Sequence, residues 1–131
     1  MFATDDTIVA IATPAGHGAL GVIRVSGPRA LDIVHTIAIR RSAFEPRRAT
    51  LTRIRGAADA ASGSPVDNVI VTCFRAPHSY TGEDVVELSA HGSPIVLRTI
   101  VHAAIAAGAR LARPGEFTLR AFLAGRRSSR R

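Results

Sequence analysis

The chain has 131 residues, 47% hydrophobic and 21% charged, which is the balance of one globular domain with a sizeable core. Its formal net charge of +7 rests on 17 basic residues that are all arginine, so chemistry that needs a lysine is excluded. Cys73 is the single cysteine and excludes an intrachain disulfide; no apolar run nears the roughly 18 residues that span a bilayer, and MFATDDTIVA lacks the positive start of a signal peptide, so a cytoplasmic protein is expected.

Residues 7–12 are β-branched and apolar and predict a first strand. A glycine loop follows, and 21–26 predict a second strand with Ile23 and Val25 on one face and Val22 and Arg24 on the other. Pro28 opens a helix in which Leu31, Val34, Ile37 and Ala38 keep helical spacing to about Arg40, until Phe44-Glu45-Pro46 breaks it. Residues 50–55 alternate as a strand, 56–65 (GAADAASGSP) read as a hairpin tip, and 66–74 as a strong strand. After the turn-rich 77–82, residues 83–91 form a further strand. Ser93 and Pro94 predict a helix start, Val96, Leu97, Ile100, Val101, Ala104 and Ile105 its apolar face, and Gly108 its end. Residues 109–113 predict a short strand and 116–123 a last short helix. The expected fold class is α+β, a mixed sheet with two main helices packed on one face.

Gly16-His17-Gly18-Ala19-Leu20-Gly21 fits the dinucleotide pattern G-x-G-x-x-G. That motif works by turning a strand into a helix whose N-terminus holds the pyrophosphate. Here a strand pattern follows Gly21, and a Walker loop is impossible without lysine. The glycines are instead expected to join two strands where a side chain would meet a neighbour or a ligand.

Among the polar residues, Glu87 shares a strand face with Val85 and Ser89. It is either the wet side of a half-buried strand or a carboxylate able to accept two parallel hydrogen bonds from a ligand with adjacent N–H donors. Arg24 is an edge-strand arginine, a counter-charge to Glu87, or an anion contact. Five scattered histidines and one cysteine give no metal set, Cys73 reads as an inert core residue, and no nucleophile setting supports catalysis by this chain. Four arginines fall in residues 126–131, either a solvated end or a nucleic-acid contact; the remaining body carries +3.

Three blocks, in order, carry a resemblance: 6–14 with the glycine loop and 21–27; 79–88 (SYTGEDVVEL) through His91 and Gly92; and 112–123 (ARPGEFTLRAFL). Together they resemble the N-terminal domain of the MnmE (TrmE) family of tRNA wobble-uridine-modifying GTPases over about residues 5–125. The resemblance implies a fold similar to the tetrahydrofolate-binding domain of aminomethyltransferases. It also implies binding of 5-formyltetrahydrofolate, homodimerisation, and, as partners of the whole protein, tRNA and the flavoprotein MnmG. It places folate contacts at Arg24, at Glu87 and at Arg126, the last standing where the family has lysine. The domain would span 1–125, with 126–131 a disordered arginine-rich tail. His17 departs from the family's arginine, and the family's GTPase domain and C-terminal cysteine motif have no counterpart here. GTP, Mg²⁺ and K⁺ would thus belong to the full-length family and not to this chain. The alternatives left open are a small arginine-rich RNA-binding protein and a non-functional remnant.

Overall fold

The structure, a computed structural model, describes residues 5–13, 20–40, 42–55 and 65–128, without the side chains of 65–67 and 126–128. The described elements are β1 (Ile8–Ile11), β2 (Leu20–Ser26), α1 (Ala30–Ile37), β3 (Thr50–Arg55), β4 (Pro65–Phe74), β5 (Val85–His91), α2 (Pro94–Ala106), β6 (Arg110–Leu111) and α3 (Glu116–Ser128). The strands form one sheet in the order β3-β4-β5-β2-β1-β6. All pairings are antiparallel except that of β1 with β6, so the sheet is mixed and the fold is α+β.

Strand alternation divides the sheet into two faces. Val9, Ile23, Val25, Val86, Leu88, Ala90, Val69, Val71 and Ile54 point to one face, which α1 and α2 cover with Ile33, Val34, Ile37, Leu97, Ile100 and Ala104 to form the core. The opposite face carries Val22, Arg24, Glu87, Ser89, Ile70 and Thr72. Among the described residues, α3 and the loop between β4 and β5 reach over it at Arg24.

β1 and β2 are antiparallel neighbours, with Ile11 opposite Ile23, so the glycine stretch joins strand to strand and leads into no helix. Gly16 and Gly18 lie outside the described residues. Gly21 packs flat against α2, where an added Cβ would stand 2.5 Å from Leu97 Cδ1. Its missing side chain thus serves helix-on-sheet packing.

The helix expected over 28–40 is shorter at both ends. The Thr7 hydroxyl accepts the Arg29 N–H at 2.9 Å, and helical geometry starts only at Ala30. At the other end Ala38 is already extended and bridges Ile54, while the Ile39 N–H donates to the Arg53 carbonyl at 2.8 Å. The chain there exchanges helical hydrogen bonds for sheet ones. In α2, Pro94 takes the first turn, but the Ser93 side chain makes no capping bond. Gly108, at φ +119°, closes α2: its N–H donates to the Ile105 carbonyl and the Ala109 N–H to the Ala104 carbonyl, both at 3.0 Å. The strand expected over 109–113 contracts to β6, and that over 83–91 begins at Val85 because Glu83 and Asp84 are engaged elsewhere. The last helix is longer than the expected 116–123. Its backbone runs through Gly125 to Ser128, since Ala124, Arg126 and Arg127 are good helix formers and one glycine costs only about 1 kcal/mol.

Candidate functional site

The β2–β5 register sets Arg24 directly opposite Glu87 on the open face. Their flanking neighbours in the sheet, Ala10 on β1 and Thr72 on β4, are small and leave room above the pair. Arg24 Nη2 and Nε both donate to Glu87 Oε2, at 2.9 and 3.1 Å. Oε1 accepts no hydrogen bond from the described residues, and Arg24 Nη1 donates none to them. Both side chains keep partial access to solvent, at 24% and 30% exposure. The Arg24 guanidinium carbon lies over two rings, 5.1 Å from the Tyr80 centroid and 5.7 Å from that of Phe117. Cation–π contacts of this kind contribute about 0.5–2 kcal/mol according to solvent exclusion. Tyr80 stands on the loop between β4 and β5, and Phe117 in the first turn of α3.

Beside this pair lies an ion cluster. Arg120 is 3% exposed and donates to the Asp6 carbonyl (2.8 Å), to Asp6 Oδ1 (2.7 Å) and to Glu83 Oε1 (3.0 Å), and it pairs with Glu116 one turn earlier. Arg110 binds Asp6 and Glu116 from β6. Ser26 Oγ donates to Glu83 Oε1 at 2.9 Å and shares a 2.7 Å hydrogen bond with Thr81 Oγ1. The Arg110 hydrogen bond holds the Asp6 carboxyl down to about 2 from an ordinary 3.8, against the opposing effect of burial and with help from Arg120. Arg110 also lowers Glu116, with the Arg113 N–H adding to the effect.

A carboxyl depressed in the folded state stabilises the fold above its unfolded pKa and loses that contribution as pH falls through the folded value. The contribution of these carboxyls should therefore be complete at neutral pH, and that of Asp6 should be lost as pH falls from about 4 through about 2. Asp6 alone accounts for about 1 kcal/mol once solvent screening of its one-third-exposed side chain is allowed for. Urea unfolding at neutral pH and near pH 2.5 checks this, and equal stability at both would refute it.

Between the loop and α3 runs an open groove of about 550 Å³, lined by Pro77, Ser79, Tyr80 and Gly82 on one side and by Ala121, Ala124 and Gly125 on the other. That volume is in the range of small-molecule sites. Cys73 is buried on the core face and its thiol is pushed up to about 11 by burial, as expected of an inert core residue. Among the described residues no group of three metal-ligating side chains gathers, and no helix is long and apolar enough to cross a membrane.

Of the three residues expected at the site, Arg24 and Glu87 are thus brought together. The Arg126 backbone lies in the last turns of α3, and its side chain lies outside the described residues, as do His17 and residues 129–131 of the tail. Over residues 7–126 the sequence matches the family described as GTP-binding protein TrmE N-terminus. The chain belongs to that family. It is 48% identical over 125 residues to the tRNA modification GTPase MnmE of Koribacter versatilis, covering 93% of this chain and 27% of that protein. The protein of the same name from Wolinella succinogenes is 48% identical over 123 residues, 94% of this chain and 26% of its own length. That from Legionella pneumophila (strain Paris) is 49% identical over 118 residues, 90% and 25% respectively. The chain therefore spans about a quarter of the length of these relatives.

In this TrmE-family chain the sequence reading singled out neither ring over Arg24 nor the Arg120 cluster. One local signal of the cluster was visible: Glu116 and Arg120 stand four apart on one helix, the spacing of an ion pair. Nothing local pointed to Asp6, which lies 114 residues from Arg120.

Proposed function

We propose that this chain is the folate-binding, self-associating N-terminal module of a tRNA wobble-uridine modification GTPase, with 5-formyltetrahydrofolate as its ligand. The observation that carries the reading is the Arg24–Glu87 pair, partly exposed on the open sheet face beneath Tyr80 and Phe117. A pterin presents a ring N–H and an amino group side by side, and carboxylates bind such donor pairs well. Glu87 Oε1 is open to one donor, while Arg24 shares or yields Oε2 to the other. The two rings offer flat apolar surface to a planar heterocycle. Arg126 is the third contact in this reading, although a planar guanidinium does not reproduce the geometry of an ammonium.

Self-association draws support from Leu51 and Ile70, cross-strand partners on the same face that stay 70% and 42% exposed. GTP, with Mg²⁺ and K⁺, is assigned to the part of the longer relatives beyond this chain, because a Walker loop requires a lysine that the chain lacks. tRNA and the flavoprotein MnmG are likewise proposed as partners of the whole protein in the cytoplasm.

Calorimetric titration with 5-formyltetrahydrofolate tests the reading, and sedimentation of the same sample reports its oligomeric state. Saturable binding at about one ligand per chain is expected, and Glu87→Gln should weaken it at least about tenfold, the loss of one charge-assisted hydrogen bond, while the fold persists. Unchanged affinity in that variant removes Glu87 from the site.

A further inference from the structure

We propose that Phe117 and Tyr80 are positioning residues for the Arg24–Glu87 pair and that the ion cluster around the buried Arg120 acts on the pair through them, so that the seating of α3 sets the geometry of the ligand site. The proposal rests on the reading of Arg24 and Glu87 as ligand residues and adds how they are held.

A continuous set of contacts supports it. Two residues beyond Arg24 on β2, Ser26 hydrogen-bonds both Glu83 and Thr81. Glu83 in turn accepts from Arg120 on α3, and Phe117, three residues before Arg120 on that helix, faces Arg24. Tyr80 adjoins Thr81, faces Arg24 from the loop, and sets its hydroxyl 3.4 Å from Thr118 Oγ1 of α3. Both rings are thus carried by segments that the cluster fastens to one another.

A partly exposed arginine–carboxylate pair is loosely held on its own, because solvent screens it and the long side chain keeps rotamer freedom. Rings on two anchored elements remove that freedom. Neither ring belongs to the hydrophobic core, which lies on the other face of the sheet. Packing of the core therefore does not account for their placement.

The test is a double-mutant cycle on Phe117→Leu and Glu83→Gln, read in two ways. The first is hydrogen exchange of the Arg24 Nε–H by NMR in the ligand-free chain; the second is calorimetric affinity for 5-formyltetrahydrofolate. Phe117→Leu should speed the exchange and weaken binding, each on the order of fivefold, while Phe117→Tyr, which keeps the ring, stays near wild type. If the cluster acts through the ring, adding Glu83→Gln to Phe117→Leu changes little further; independent effects that multiply would overturn this link. Tyr80→Leu, at a position 53% exposed, gives the same first-order test should Phe117→Leu fail to fold. Exchange that ignores both ring losses overturns the positioning role even if the folate binds. If the folate does not bind but ring loss still frees the Arg24 Nε–H, the ligand reading fails and the positioning role stands.

Discussion

Replacing Arg120 with methionine should destabilise the fold by about 3–5 kcal/mol, a large share of the roughly 5–15 kcal/mol that holds a domain of this size together. The side chain is 3% exposed and serves three carboxylates, those of Asp6, Glu83 and Glu116. Methionine keeps the apolar stem and carries no charge, so the packing of the stem survives while Glu116, itself 3% exposed, loses one of its two arginines. The cost is that of leaving buried negative charge under-compensated, which exceeds the net worth of the ion pairs themselves. Arg120→Lys should lie between wild type and methionine, because one ammonium cannot spread its donors over three acceptors as a guanidinium does. Denaturant unfolding at neutral pH measures both variants. A loss below about 1 kcal/mol for methionine would show that solvent already screens the cluster.

Leu88→Ala is expected to cost about 3 kcal/mol, within the range of about 2–5 kcal/mol for a buried leucine. Leu88 is fully buried at the centre of β5, between Ile23 of β2 and Val71 of β4, with helices covering that face. Neighbours fixed by ladders on both sides cannot collapse into the space left behind. The melting temperature should fall by about 10 °C, and a truncation at Leu51, which is 70% exposed on the opposite face, should barely move it. A small effect at Leu88 would mean that the core closes over the cavity.

The period of two along 83–91 was enough to put Glu87 on one strand face with Val85 and Ser89, and the apolar period of 94–106 was enough to find α2. Pairing was not legible in this way. The contact of Arg24 with Glu87 was one of three options for that arginine, and spacing could not choose among them, because the contact depends on β2 lying beside β5 in one register, which is a property of the whole sheet. The same holds for the end of α1: its helical spacing continues to Ala38, but that residue is claimed by a bridge to Ile54. The ion cluster draws on residues 6, 83, 110, 116 and 120, and only the last two are close enough in the chain for spacing to betray them. α3 runs past its expected end at Leu123, because the residues flanking Gly125 favour helix by more than one glycine opposes it.

The parallel pairing of β1 with β6 also bears on how the chain acquires its fold during synthesis. β1 leaves the ribosome before the other described strands, but among the described residues its outer edge has no strand partner until Arg110 and Leu111 follow, and the Asp6 carboxylate lacks its two arginines until Arg110 and Arg120 are made. The hairpin of β1 and β2 and the ladder of β3 to β5 can form earlier, since each step joins segments nearer in sequence. Closure of the amino-terminal edge therefore follows the pairing of the other described strands. Until then a nascent chain exposes an apolar strand, and a chaperone that masks residues 8–11 would act in that interval.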